Sequence, residues 1–466
     1  MDRLLVSAAH KSSGKTTLTL GLCAALSAQG TRVQPFKKGP DYIDPMWLAQ
    51  AAGRPCRNLD AYLMDGESLE RCFTQALAGA DIAIVEGNKG LYDGVALDGS
   101  NSSAALARQL ALPVLLVIDA RGMTRGIAPL LLGYQAFDRD IRIGGVILNR
   151  VGGPRHESKL RAVIEHYTDL PVIGAVGQDD RLEMCERHLG LMPCAEVDDA
   201  SARVREIGCI IGAQVDLHRV RALAASAPAG FEPGAARTRA RRPDVRIAIA
   251  RDRAFGFYYP DDLEALQAAG AELVPFDTLH DPRLPDADAI FIGGGFPETC
   301  MNALEDNVAM RASVREAIED GLPAYAECGG LMYLARSITW QGRSARMVGA
   351  IPGDAVMQAR PVGRGYVHLR ETGAMPWAGA AGNVRGHEFH HSSLENLPPG
   401  LDFAYRVERG HGIDGTHDGV LVHNLLASYT HLRSGAGSQW ASRFVAHVRD
   451  VRQRRPAPPE TLALAA

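Results

Sequence analysis

Short runs of apolar, often β-branched residues recur along the chain, each followed by a stretch long enough for a helix. In the first half they are Leu4–Ala8, Ile82–Val85, Pro113–Ile118, Gly145–Leu148 and Val172–Val176. Their hydrophobicity is continuous rather than alternating, which predicts strands buried on both faces of a parallel sheet with helices on either side. Residues 221–243 break the pattern. They are rich in Ala, Pro, Gly and Arg without a period, and read as a linker. A second α/β series follows in Val245–Ala250, Glu272–Phe276, Ala289–Ile292 and Pro323–Ala326. The expected organisation is two domains, 1–220 and 244–450, joined by the linker and followed by a disordered tail, 451–466.

Composition narrows the class. Fifty Lys and Arg against 54 Asp and Glu give a net charge of −4 over 466 residues, which argues against a general nucleic-acid binder but leaves room for local basic pockets. The longest apolar run, Leu110–Ile118, is far short of the roughly 18 residues of a membrane span. Met1–Arg3 leads directly into an apolar segment without the pattern of a secretory signal. The eight cysteines are scattered and include no C-x-x-C pair, so reduced thiols in a cytoplasmic enzyme are expected.

Three segments carry phosphate chemistry. The first apolar run feeds Ala9-His10-Lys11-Ser12-Ser13-Gly14-Lys15-Thr16-Thr17, and then an amphipathic helix is expected through about Gln29. This is a Walker A layout with Ala9 in place of the usual first glycine. Backbone N–H groups from Ser13 to Thr17 would face phosphate at a helix start, Lys15 would reach the β- and γ-phosphates of ATP, and the Thr16 hydroxyl would ligate Mg²⁺. Lys37-Lys38-Gly39-Pro40-Asp41-Tyr42-Ile43-Asp44 combines cations for phosphate with carboxylates for metal. Glu86 ends the Ile82–Val85 run and opens a glycine-punctuated loop that reaches Asp93. At a strand C-terminus it is placed to hold Mg²⁺ or water.

The second half carries a different chemistry. Pro323–Ala326 runs into Glu327-Cys328-Gly329-Gly330-Leu331, which reads as a sharp strand-to-helix turn presenting Cys328 as a nucleophile. The glycine turn at 293–295 could supply oxyanion-hole amides, with Gly294, Gly295 and Gly329 as candidates. The base should be a histidine distant in sequence, and His431 is the choice. His387-Glu388-Phe389-His390-His391 satisfies the H-E-x-x-H zinc pattern, but Gly386 before it and Ser392-Ser393 after it give poor helix support. A polar strand lining the cleft is expected instead.

Taken in order from Leu4 to about Arg433, these motifs, together with Arg187-His188-Leu189-Gly190-Leu191, resemble the cobyrinate (or hydrogenobyrinate) a,c-diamide synthase family. The resemblance implies an α/β fold of two domains. One is an N-terminal P-loop NTPase-type parallel sheet similar to dethiobiotin synthetase, and the other is a C-terminal class I glutamine amidotransferase-like domain. It implies ATP- and glutamine-dependent amidation of acetate side chains on a corrin-like tetrapyrrole, with Mg²⁺. Cys328 is then nucleophile and His431 its base. Ser13, Gly14, Lys15, Thr16 and Thr17 hold ATP. Lys38, Asp41, Tyr42, Asp44 and Asp93 meet substrate, and Thr16, Asp41 and Glu86 hold metal. A homodimer is compatible with it, and neither nucleic acid nor membrane is an expected partner.

The chain departs from the family pattern at two places. Arg433 stands where triad amidotransferases carry an acid, two residues after the histidine. Asn88 and Lys89 make the Glu86 loop more polar and cationic than the family's, which raises sirohydrochlorin or siroheme as an alternative substrate. Outside this class, a P-loop switch ATPase would share the first domain but would not need the Cys328 turn. A glutaminase domain that only docks, leaving the enzyme to use free ammonia, is a third expectation.

Overall fold

The computed structural model describes residues 1–184, 186–187, 190–234, 242–379, 382–435 and 438–454. The chain divides into two compact units, Met1–Thr238 and Arg239–Ala466. In the first, β1 (Asp2–Ala8), β2 (Val33–Lys38), β3 (Arg57–Leu59), β4 (Ile82–Glu86), β5 (Val114–Asp119), β6 (Ile143–Val151) and β7 (Val172–Gly177) form one sheet. Its order is β3-β2-β4-β1-β5-β6-β7, and every pairing is parallel. Each predicted apolar run falls on one of these strands, Pro113 alone standing just before β5, and β5 is buried along its whole length, as a strand covered on both faces must be. The strand at 82 ends one residue later than the apolar run, so Glu86 closes β4 at the edge where the P-loop emerges from β1.

Helix α1 (Lys15–Ala28) leaves the P-loop and packs on the helix Ala200–Gln214 through small residues. A Cβ added to Gly21 would stand 2.4 Å from Ile211 Cγ1, and one added to Gly208 would stand 2.8 Å from Ala24 Cβ. This close crossing fixes the axis on which Lys15 and Thr16 sit.

The linker expectation needs correction. Residues 221–225 complete the helix Leu217–Ala225, capped by Asp216 and buried through Leu217, Val220, Leu223 and Ala224. Alanine-rich composition, read as a linker, is also the best helix former once an apolar stripe gives it a face to bury. Residues 226–234 are tied to the first unit as well: the buried Arg3 guanidinium donates to Pro228 O and lies over the Phe231 ring, and Gly234 N donates to Thr74 O. The remaining linker residues 235–241 lie outside the described residues, as do His188 and Leu189 and the tail from 455. Residues 451–454, expected in a disordered tail, are helical instead: the helix Trp440–Arg454 continues past 450, and Arg452 holds its last turn to the Asp244 carbonyl and the Asp288 carboxylate.

The second unit is built on a mixed sheet. Four parallel strands come first: β8 (Val245–Ala250), β9 (Ala271–Phe276), β10 (Ala289–Ile292) and β11 (Ala324–Glu327). The sheet continues through β12 (Gly363–Glu371), β13 (Asn383–His390), β14 (Phe403–Arg409), β15 (His417–Val422), β16 (Leu425–Ser428) and β17 (His431–Leu432). The order is β9-β8-β10-β11-β16-β15-β14-β12-β13-β17, parallel as far as β16 and antiparallel beyond it. Of the antiparallel half only the polar strand at 387–391 was expected, since the other strands mix apolar residues with many charges. Tyr325 on β11 is fully buried among Phe291, Trp377, Trp440 and Phe444, a cluster that fixes the strand leading to Cys328. Among the described residues, no helix is long and apolar enough to cross a membrane.

A Gly21→Val substitution should lower the stability of the first unit by about 1–3 kcal/mol, the usual cost of overpacking, because Ile211 has nowhere to retreat. A chemical-denaturation midpoint equal to that of the unsubstituted chain would contradict this packing.

Candidate active sites

In the first unit the chain turns at Ser12 and Gly14, both at positive φ (65° and 81°). The turn is pinned from β6, where Asn149 Nδ2 donates to Ser13 O (2.8 Å) and Arg150 donates to Ser12 O (2.8 Å). Only glycine fits at 14, since a Cβ there would lie 2.2 Å from Asn149 Nδ2. Ser13 donates to His10 O within the loop, and Thr17 is half-buried on α1. Neither Asn149 nor Arg150 was singled out from sequence, since nothing local in a buried strand marks its end as a loop support.

Behind the loop lies a buried charge cluster. Thr16 Oγ1 donates to Glu86 Oε1 (2.7 Å) and reaches Asp44 Oδ2 (3.3 Å). The Lys37 ammonium is ion-paired with Asp44 and with Glu86 (2.8 Å), with Asp41 at 3.9 Å. Burial disfavours charge on Lys37, yet Asp44, Glu86 and Asp41 outweigh it and hold the amine well above its usual range. Lys15 is lowered by burial, with Lys37 adding to the effect. Asp44 is kept below its usual value because Lys37 overcomes the effect of burial.

Asp41 behaves differently. Its Oδ1 accepts from the Ile43 and Asp44 amides (2.9 and 3.0 Å) at the start of α2 (Ile43–Ala52), and burial with the neighbouring Asp44 charge pushes it up to about 7. The structure therefore places Asp44 rather than Asp41 beside Thr16 and Glu86. Tyr42 is buried at the cap of α2, and Lys38 ends β2 half-buried, lowered by burial. Asp93 is exposed and its carboxylate accepts from the Gly90 amide (2.9 Å), a role within its own loop.

In the second unit β11 delivers Cys328 into a strained turn, φ 48° and ψ −102°, of a kind that costs on the order of 1–3 kcal/mol in a non-glycine residue. Its amide donates to Ser428 O (2.7 Å) on β16, and its carbonyl accepts from Met332 N in the helix Gly329–Leu334. A Cβ on Gly330 would lie 2.2 Å from Ile292 O, so the elbow can nest against β10 only with glycine there. Gly295 N comes within 2.9 Å of where a Gly329 Cβ would stand, and Gly294 lies against the His431 ring. The three oxyanion candidates thus gather around the elbow and its histidine.

His431 hydrogen-bonds the Cys328 thiol, and its Nδ1 stands 3.1 Å from Glu327 Oε2. Burial would lower this imidazole, but Cys328 and Glu327 push it up to about 10. His387 stacks on it at 5.0 Å and 20°, and is held well below its usual range by burial and by the positive charges of His431 and Arg433. Sequence reasoning missed Glu327, although it adjoins the candidate nucleophile, because adjacent strand residues point to opposite faces. Arg433 turns to Asp261 and lies over the Tyr259 ring (4.9 Å).

The H-E-x-x-H segment falls on β13 and just past it, as the strand expectation held. Four residues of extended chain span about 13 Å, too far for both outer histidines to share one ion. Glu388 instead accepts from His411 N and Gly412 N, and His390 stacks on Tyr429 at 3.9 Å. Among the described residues no group of three His, Cys, Asp or Glu could hold a metal ion.

Asp41, half-buried beside Asp44, makes a pH test of the first cluster. Its raised value means that the folded state holds the proton more tightly, so stability present below about pH 4 is lost as pH rises through 7. Asp41→Asn keeps the acceptor for both amides and removes the charge. Without nucleotide or metal ion, its unfolding free energy should vary less between pH 4 and 7. It should exceed that of the unsubstituted chain at pH 8 by about 1.4 kcal/mol or more, one pKa unit's worth. Parallel pH profiles for the two proteins would refute the raised value of Asp41.

Comparison with known proteins agrees with both halves. Residues 5–191 match the family model described as the CobQ/CobB/MinD/ParA nucleotide binding domain, and residues 246–438 match the CobB/CobQ-like glutamine amidotransferase domain. Over 447 residues the chain is 46% identical to the cobyrinate a,c-diamide synthase of Magnetococcus marinus, covering 95% of this chain and 96% of that protein. It is 44% identical over 477 residues to that of Methanosarcina acetivorans (96% and 95%) and 39% identical over 438 residues to that of Listeria monocytogenes (93% and 96%). A thiol elbow in the second unit, a phosphate loop in the first and agreement along both place the chain in one group: it belongs to the cobyrinate a,c-diamide synthase family.

Proposed function

We propose that the chain converts the a- and c-acetate carboxylates of cobyrinate, or hydrogenobyrinate, to amides, using ATP to activate the acid and glutamine to supply nitrogen. The observation that carries this reading is the Cys328–His431 hydrogen bond at the elbow, on the same chain as a P-loop backed by carboxylates.

In the second unit, Cys328 thiolate attacks the glutamine carboxamide carbon while amides near Gly294, Gly295 and Gly329 receive the developing oxyanion. His431 gives its proton to the departing ammonia, then takes one from the water that releases glutamate. In the first unit, a carboxylate oxygen of the macrocycle attacks the γ-phosphorus of ATP to give an acyl phosphate and ADP. Lys15 steadies the phosphate charge. Ammonia then attacks the acyl carbon and phosphate departs.

Thr16, Asp44 and Glu86 form an all-oxygen donor set suited to Mg²⁺, and Glu86 Oε2 is buried without a hydrogen-bond partner. These residues would hold the ion, with Asp44 in the place expected of Asp41, and the bound ion supplies neutralisation of phosphate charge. Lys38 and Lys89, close enough to repel one another, suit a polycarboxylate ring. The same pair favours a second reading, amidation of sirohydrochlorin or siroheme. Mass spectrometry of each tetrapyrrole after incubation with enzyme, ATP and glutamine distinguishes the two.

A Cys328→Ala variant should lose glutamine-driven amidation by at least about a thousandfold and keep ammonia-driven amidation, whereas Lys15→Ala should lose both. Glutamine-driven turnover that survives in Cys328→Ala would overturn the nucleophile assignment.

A further inference from the structure

We propose that Glu327, the residue immediately before the nucleophile, is the positioning acid of the glutaminase, orienting His431 and stabilising the imidazolium formed as Cys328 attacks. This rests on the glutaminase reading above and names a residue that reading does not need.

The geometry assigns the two ring nitrogens of His431 separate tasks. Nδ1 meets Glu327 Oε2 at 3.1 Å, which leaves Nε2 for the thiol. Glu327 is not free to turn away. It is buried, and its other oxygen, Oε1, accepts from the Tyr325 hydroxyl (2.6 Å) and from the Leu432 amide (3.0 Å). Leu432 follows His431 in the chain, so one carboxylate grips both the imidazole and the backbone that carries it. Tyr325, two residues back on the same strand face, is in turn stacked on Phe291 at 5.4 Å.

Other acids nearby are committed elsewhere. Asp261 pairs with Arg433, Asp262 accepts from Ser434 N, and Asp418 accepts from the Gly419, Tyr429 and Thr430 amides. Arg433, at the position where an acid was expected from triad enzymes, is thereby paired with Asp261 and offers His431 no carboxylate.

The strained backbone makes the arrangement geometrically workable. Residues 327 and 328 of a continuing strand would point to opposite faces of the sheet. The positive φ at Cys328 breaks that alternation, so that consecutive side chains address one histidine. Acid and nucleophile adjacent in sequence thus perform what a triad usually draws from separate segments.

The test compares Glu327→Gln and Glu327→Asp with the unsubstituted enzyme, reading glutamate release and ammonia-driven amidation on the same preparations. Glu327→Gln should lower kcat for glutamine by roughly 10²–10⁴ while KM changes less than about threefold. The alkaline limb of its kcat/KM profile should move to lower pH, because the imidazolium has lost its carboxylate. Besides Glu327, the groups facing His431 are Cys328 on the elbow, His387 on β13 and Arg433 held by Asp261, all unchanged in the variant. Glu327→Asp keeps the buried charge and should recover at least tenfold over Glu327→Gln. Ammonia-driven amidation reports on the first unit, and the near-ultraviolet circular dichroism of the buried Tyr325–Trp440–Phe444 cluster reports that the second unit is folded; if Glu327→Gln fails the latter, the decision passes to the pH profile of Glu327→Asp, where an unmoved alkaline limb overturns the role. Glutamate release within threefold of normal, or a reduced kcat with an unmoved alkaline limb in the folded variant, would overturn the role of Glu327. An unsubstituted enzyme that releases no glutamate would instead overturn the glutaminase reading.

Discussion

A single backbone conformation, the positive φ at Cys328, is the constraint on which the second unit depends. It ends β11, starts the helix Gly329–Leu334 and turns the thiol out of the sheet toward His431. Such a conformation persists only where the surroundings over-determine it. Here the Cys328 amide is bonded to Ser428, the following glycines are pressed against β10 and the glycine turn, and Tyr325 anchors the strand from the other side. Loss of any of these supports would let the turn relax and carry the thiol away from His431.

The first unit solves a different problem, burying several charges without neutralising them. Lys37 lies among Asp44, Glu86 and Asp41, and Thr16 bonds the same carboxylates from α1. A buried ammonium with matched carboxylates is a poor source of net stability, since desolvation consumes most of the attraction. It does fix positions. Three separate segments, the P-loop helix, β2 with its following loop, and the end of β4, are registered to one another by ionic contacts at the edge where nucleotide chemistry takes place.

How much of this was legible follows from which signals are local. Continuous apolar runs announced five strands of the first sheet, though not Val33–Lys38 or Arg57–Leu59, and Gly14, Lys15 and Thr16 announced their loop, because each is a contiguous pattern. The strained Cys328 turn was readable for the same reason, from small residues after a buried strand. Apart from the polar strand around His387, the antiparallel strands from 363 onward were not, since segments such as Gly363–Glu371 mix Arg, His and Glu with only two deeply buried apolar residues, Val367 and Leu369. Glu327 and Asn149 were missed for a second reason. Their roles arise from contacts over 104 and 136 residues of sequence, and no local pattern encodes such a meeting. The linker failed in the opposite direction, where an alanine-rich composition concealed a helix with a buried face.

The central claim is that nitrogen from a glutamine carboxamide, released at Cys328, ends as amide on a tetrapyrrole activated at the P-loop. It is tested most directly by supplying glutamine labelled with ¹⁵N at the amide, together with ATP and cobyrinate, and following the macrocycle by mass spectrometry. The account predicts two ¹⁵N atoms per product and one ATP consumed for each. A product without label while labelled glutamine is the nitrogen source offered, or label incorporated without ATP consumption, would contradict it.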